Sequence, residues 1–159
     1  KNGKMIPESG TIKISLLGND KEIFKTTSVA NVNGFDLSEF NSISQSKFLH
    51  ILKKKPTLLS NNEDAFTINL YNEDNLVKEE KIIELKVNKE GLCLGIIQWM
   101  KIQLYKDIEY ENSPGEYLDS PTGWPTPIHL FDKPVSLKKG DVLKIRASLG
   151  TDNLWFFKE

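Results

Sequence analysis

The longest regular pattern in the chain is LCLGIIQWMKIQLY, Leu92 to Tyr105. Its even positions Leu92, Leu94, Ile96, Met100, Ile102 and Leu104 are apolar, with Gln98 the one exception. The odd positions change character, from Cys93, Gly95, Ile97 and Trp99 to Lys101, Gln103 and Tyr105. A period of two is that of a strand. Apolar on both faces at first and alternating afterwards, the stretch predicts a long central strand that starts fully covered and ends with one face in water. Other alternating runs surround it. Ile12, Ile14 and Leu16 predict a first strand closed by Gly18-Asn19-Asp20, and Phe66, Ile68 and Leu70 a second, broken at Asn72 to Asn75. Ile83, Leu85 and Val87 give a third, and Asn88 to Gly91 reads as a hairpin turn into the central strand. Ile128 to Phe131 predicts a short strand turned by Asp132-Lys133-Pro134. After the turn Leu137 to Asp141, the residues Leu143, Ile145, Ala147 and Leu149 share one face, and Leu154 to Phe157 closes the series.

Three stretches do not fit that pattern. Residues 1 to 10, with Gly3, Pro7 and Gly10, read as an irregular lead-in from a preceding domain. Residues 23 to 60, rich in Ser, Asn and Lys, read as a loop with one or two short helical turns. Asp36 or Ser38 would cap one turn; Phe48, Ile51 and Leu52 fall on helical spacing in the other, which Pro56 ends. The Pro- and Gly-rich run from Asp107 to Pro127 reads as a long loop of the kind that often carries function. Six to eight strands with one segment of helical character predict a mainly β fold. It is an antiparallel barrel or a barrel-like sandwich with an inserted, partly helical arm, in a single domain over 11–159; periodicity does not choose between barrel and sandwich.

Composition narrows the function classes. A chain of 159 residues, 38% hydrophobic, is long enough to build one core. Twenty-one basic against 22 acidic residues leave a net charge of −1, so no field recruits nucleic acid or an anionic membrane. No apolar run approaches the ~20 residues of a membrane helix, and no signal-peptide pattern opens the chain. The lone Cys93 forms no intramolecular disulfide, lies in the most apolar strand, and fits a buried hydrophobe in a reducing, cytoplasmic setting. A first residue of Lys1 reads as a piece of something longer.

Candidate chemistry is sparse. The two histidines, His50 and His129, have no cysteine or acidic partner at ligand spacing, so neither a metal nor a nucleophilic site is indicated. His50 falls on the weak helix as a surface or packing residue, whereas His129 sits beside the long loop, where binding residues collect. No phosphate-binding glycine loop occurs. Lys53-Lys54-Lys55 suits a solvated helix end. Trp124, held between prolines, is either a plug over an open barrel end or a ligand platform, with Tyr105, Tyr110 and Tyr117 near it in sequence; Trp99 is core.

The order of these pieces resembles the C-terminal β-barrel domain of the protein arginine methyltransferase family, class I enzymes that use S-adenosylmethionine. IPESGTIKISLL is similar to the family's first barrel strand, and VNGFDLS to its Tyr-Gly-Phe-Asp-Met-Ser arm segment. LLSNNEDAFTINLYN resembles the return to the barrel, and GLCLGIIQWMKIQLY the long strand ending in an aromatic. SPTGWPTPIHLFDKPVSLKKGDVLKIRAS is similar to the Thr-His-Trp loop, the next strand and the Lys-Gly-Asp turn, with Gly123 where the family has His. The resemblance implies a substrate-side wall at Thr122, Gly123, Trp124 and His129. It also implies a homodimer arm at Val32, Gly34, Phe35, Asp36 and Leu37, within a contact running from Val29 to Phe40. The S-adenosylmethionine site and the catalytic groups would belong to an N-terminal methyltransferase domain, so this stretch would bind no cofactor and catalyse nothing alone. The methyl acceptor would be a protein or a small molecule. A free-standing β-sandwich binding module, for carbohydrate for example, and a purely structural domain are the other readings.

Overall fold

The computed structural model describes residues 3–50, 52, 54–71, 78–116 and 124–159. Among these residues eleven strands carry nearly all of the regular structure, and their pairs are antiparallel. In chain order they are β1 (Ser9–Gly18), helix α1 (Lys21–Thr27), β2 (Asn31–Val32), β3 (Phe35–Asp36), a 3-10 turn at Ser38–Ile43, and β4 (Lys47–His50). Then come β5 (Glu63–Asn69), β6 (Glu79–Lys86), β7 (Gly91–Tyr105), β8 (Ile108–Glu111), β9 (Thr126–Leu137), β10 (Val142–Leu149) and β11 (Leu154–Lys158). A six-stranded sheet runs β4-β9-β7-β1-β5, with β8 paired to the far end of β7; a three-stranded sheet runs β11-β10-β6.

β7 is the predicted central strand, and its burial follows its sequence. Cys93 to Trp99 is buried without a break on both faces, and Met100 to Tyr105 is half-buried. The two faces meet different partners. Ile12, Ile14, Leu16 and Ile96 pack against Leu85, Ile145, Ala147, Leu154 and Phe156 of the smaller sheet, which forms the main core. Leu17, Ile97, Trp99 and Ile128 face outward and are covered by Ile23 of α1 with Leu52 and Leu58. At roughly 1.5–3 kcal/mol for each fully buried large side chain, both layers matter to stability.

The two sheets form a barrel-like sandwich, and backbone pairing does not close it. One seam is bridged by the stretch Thr57 to Ser60. Leu58 pairs with Leu17, Ser60 with Val87, and the Leu59 carbonyl accepts from the Asn88 and Lys89 N–H groups. The other seam, between β9 and β11, is filled by side chains, as described below.

Several expectations are corrected. Asn88 to Gly91 is not a hairpin turn, because β6 belongs to the smaller sheet and β7 to the larger; the turn carries the chain from one to the other. Asp132-Lys133-Pro134 does not end a strand. In β9, Leu130 pairs with Gly95 and Val135 with Cys93, so four residues bulge out opposite Leu94 alone, and a proline without an N–H suits that unpaired run. Of Phe48, Ile51 and Leu52, which fall on helical spacing, Phe48 lies in a strand instead, β4, while Ile51 lies outside the described residues. β4 pairs with the free edge of β9, and Leu49 points to solvent, so the demand of a sheet edge outweighed a weak local pattern. The helix that does form lies earlier, at α1, where the Asp20 carboxylate accepts from the Glu22 and Ile23 N–H groups as its cap. The lead-in is ordered sooner than predicted, since β1 starts at Ser9, and the long loop contains β8.

β9 runs close against β7 at Gly95. A Cβ built there would lie 2.0 Å from the His129 carbonyl oxygen and 2.8 Å from the Leu130 Cα, so only glycine fits between the two backbones. Gly95→Ala is expected to lower the unfolding free energy by at least about 2 kcal/mol in urea titrations, because a backbone cannot yield as a flexible side chain can. Gly3→Ala, with nothing within 4 Å, should change nothing. Equal stability of the two variants would contradict the close approach.

Candidate functional site

The residues singled out in the sequence fall in three places. The first is the lip at the start of β9. Trp124 stands half-exposed there, its ring 6.2 Å from that of Tyr110 on β8 at an interplanar angle of 80°. An edge-to-face pair of this kind holds the indole in one orientation while leaving the residue half-exposed. Thr122, Gly123 and Tyr117 lie outside the described residues. Tyr105 does not join this pair; Lys4 and Lys106 flank its ring at the end of β7.

The second place is interior. His129 is 2% exposed and lies on the inner face of the larger sheet. Its Nε2 is 3.0 Å from the Gln98 side-chain oxygen, which as an acceptor draws the proton to Nε2. Nδ1 is then a bare acceptor, buried with no partner among the described residues. Phe156 meets the imidazole edge-on at 4.9 Å and Trp155 at 6.3 Å. Lys47, directly opposite His129 across the β4–β9 pair, donates to the Leu154 carbonyl at 3.3 Å, and its Nζ lies 5.8 Å from the Trp155 ring centre. These side chains fill the seam between β9 and β11. Gln98, the lone polar residue on an otherwise apolar face, was the visible signal for this pair; nothing in the sequence marked Lys47. His129 is therefore buried in the strand that follows Trp124, and not at the surface.

The third place is the arm. β2 and β3 form a two-residue hairpin through Asn33 and Gly34, both at positive φ (52° and 88°), the backbone that an Asn-Gly pair favours. The Asp36 carboxylate then accepts from the Ser38 N–H at 2.9 Å, which holds its pKa below the usual value, and opens the 3-10 turn. The hairpin and turn leave Val32, Phe35, Phe40 and Ile43 exposed, Phe35 by 72% and Ile43 by 81%. Asn41 ties the arm's two ends together, accepting from the Val29 N–H and donating to the Val29 and Ser38 carbonyls.

Remaining candidates are structural. Cys93 is fully buried and burial pushes its thiol up to about 11, so it is inert as a nucleophile. Trp99 is core, as expected; its indole N–H donates to Glu111 at 2.6 Å and ties β8 to β7. Lys54 pairs with Asp20 at 3.3 Å. Burial of Asp20 opposes ionisation, but the Ile23 and Glu22 N–H groups and the Lys54 ammonium outweigh it and hold the carboxyl below its ordinary value. His50 lies in the backbone of β4 rather than on a helix. Among the described residues no group of His, Cys, Asp and Glu is placed to hold a metal ion, and no helix is long and apolar enough to cross a membrane.

Comparison with known proteins supports the fold and stops there. No family model matches the sequence, and no curated protein does. Among solved structures, the chain is similar to one titled as the Trypanosoma brucei PRMT1 enzyme-prozyme heterotetrameric complex with AdoHcy, with a TM-score of 0.72 and 17% identity over 92% of this chain and 49% of that one. It is also similar to a crystal structure of PRMT6, with a TM-score of 0.63 and 14% identity, over 100% of this chain and 56% of that one. The chain thus has a PRMT-like fold and spans about half the length of each of these proteins.

The His129 environment generates a pH test. Burial, and then the nearby Lys47 charge, push its pKa from 6.5 down to about 3. Because the folded value lies below the unfolded one, the stability from keeping His129 neutral is complete above pH 6.5 and is lost as pH falls toward 3. The loss should reach the order of 3 kcal/mol by pH 4, at about 1.4 kcal/mol per pH unit. The unfolding free energy of the native chain, taken relative to that of His129→Leu in urea titrations, should fall by that amount between pH 7 and 4. Parallel curves would contradict it.

Proposed function

We propose that this chain is the C-terminal barrel of an S-adenosylmethionine-dependent methyltransferase of the arginine-methylating type, serving as substrate-side wall and dimerisation element. The observation that carries the reading is the PRMT-like fold over 92% of the chain, supported by the resemblance of its segments, in order, to those of the family. The lip at Thr122, Gly123 and Trp124 would line one side of the acceptor's cleft, with Trp124 offering its half-exposed indole and the buried His129 anchoring β9. Its contribution would be to hold the acceptor in place. Cofactor and proton-transfer groups would come from an N-terminal methyltransferase domain of the same polypeptide. With Gly123 in place of the family's His, the lip has no imidazole to offer that domain, which leaves a protein or a small molecule equally admissible as acceptor.

The arm supports the dimer half of the reading. Its tip presents four exposed apolar side chains and carries Asp36 and Glu39 with no basic residue between Val29 and Ser46. Its root covers the barrel through Ile23, Leu52 and Leu58. Root and tip are therefore separable. Phe35→Ser with Ile43→Ser should turn a dimer into a monomer in light scattering while the melting temperature of the monomeric unit stays within a few degrees, as for surface substitutions. Ile23→Ala should instead cost about 2–4 kcal/mol of stability. A dimer that survives the tip variant removes the arm from the interface. The coding sequence upstream of Lys1 is expected to encode a strand, a Gly-rich turn and a helix within roughly 200 residues, the span of one cofactor-binding domain.

A further inference from the structure

The ladder of β1 does not stop where its backbone pairing stops. Glu8 is still held from both sides, its N–H donating to the Gln103 carbonyl of β7 and its carbonyl accepting from the Leu70 N–H beyond β5. Past that point two tyrosines take over. The Tyr71 hydroxyl lies 3.2 Å from both the N–H and the carbonyl oxygen of Met5, accepting from one and donating to the other, so one side chain satisfies both polar groups of a backbone residue as a neighbouring strand would. On the opposite side, the Lys4 ammonium donates to the Tyr105 hydroxyl and lies 4.4 Å from the centre of that ring, while Lys106 approaches the same ring at 5.3 Å. Neither lysine has a carboxylate partner among the described residues.

The two tyrosines come from different strands of one sheet, Tyr71 from just beyond β5 and Tyr105 from the end of β7, with β1 between them. We propose that they form a clasp that fixes the direction in which the chain enters the barrel, making Tyr71 and Tyr105 positioning residues for whatever is joined at its N-terminal side. The surroundings support an occupied rather than a solvated end. Met5, Ile6, Leu70, Tyr71 and Ile108 leave large apolar side chains exposed around the clasp. A chain entering here on a flexible tether would need none of these contacts. The functional sense of the clasp rests on the reading that a methyltransferase domain precedes the barrel: with the entry fixed, the Trp124 lip would keep a constant orientation toward that domain's cleft.

The test needs only the chain itself. Backbone 15N relaxation should give Lys4, Met5 and Ile6 order parameters near the ~0.85 of rigid backbone, falling below about 0.6 in Tyr71→Phe combined with Tyr105→Val. The amides of Leu16 and Ile96 and the melting temperature should stay unchanged. Trypsin cleavage after Lys4 should quicken at least several-fold in the double variant. If that variant folds poorly, Tyr71→Phe alone, which removes a single oxygen from an exposed ring, should still loosen Met5. Mobile residues 4–6 in the native chain, or rigid ones in either folded variant, would overturn the clasp. A rigid entry with no cofactor-binding domain encoded upstream would instead overturn the methyltransferase reading and leave the clasp standing.

Discussion

The structure depends on one requirement: the first half of β7 must be covered on both faces. Cys93 to Trp99 offers apolar side chains to either side, and a single sheet can hide only one of them. The inner face is met by the three-stranded sheet, which is why the chain leaves the larger sheet after β5, returns for β7, and leaves again after β9. The outer face is met by the beginning and end of the inserted segment, through Ile23, Leu52 and Leu58. The insertion is thus part of the core at its root, and only its tip is free to be read by another molecule. An arm held in this way extends from a fixed base, and Asn41 adds the local hydrogen bonds that keep the hairpin and the 3-10 turn together.

The second consequence concerns closure. Strands of this number could close into a barrel by backbone pairing, but the β6 and β11 edges of the smaller sheet do not pair with the larger one. One seam is stitched by Thr57 to Ser60, the other by Lys47, His129, Trp155 and Phe156. Lys47 spends its ammonium on a carbonyl at the end of β11, one way proteins keep a sheet edge from recruiting another chain. That choice puts a cation across from His129 and helps to keep the imidazole neutral. The polar pair of Gln98 and His129 is affordable because each side chain answers the other, leaving a single nitrogen unmatched.

How much of this was legible follows from what each signal measures. Alternation reports local burial, so β1, β5, β6, β7, β10 and the covered first half of β7 were readable, as was the class of fold. Pairing partners depend on residues distant in sequence. Nothing in Asn88 to Gly91 distinguishes a hairpin from a crossing between sheets, and nothing in Asp132 to Pro134 separates a turn from a four-residue bulge, since both need turn-tolerant residues. β4 was misread because the edge it completes lies some eighty residues away in the chain. The arm hairpin was within reach: Asn33-Gly34 between Val32 and Phe35 is a strong local hairpin signal. At the candidate site, Trp124 was found by its proline setting and Gln98 by its odd polarity, whereas the partners Tyr110 and Lys47 carried no mark.

The same contrast of committed and free surface runs through the three candidate regions. At the arm, the apolar residues that pack belong to the root and those that do not belong to the tip. At the lip, Tyr110 holds Trp124 in one orientation and leaves it half-exposed, while the strand that follows is anchored through His129. At the entry, Tyr71 and Tyr105 hold the backbone while Met5 and Ile6 turn outward. In each case a rigid, well-bonded base presents a few uncovered apolar atoms, and uncovered apolar area costs about 25 cal/mol per Å² until something meets it. The proposed function would give each a use: a second copy at the arm, an acceptor at the lip and a preceding domain at the entry.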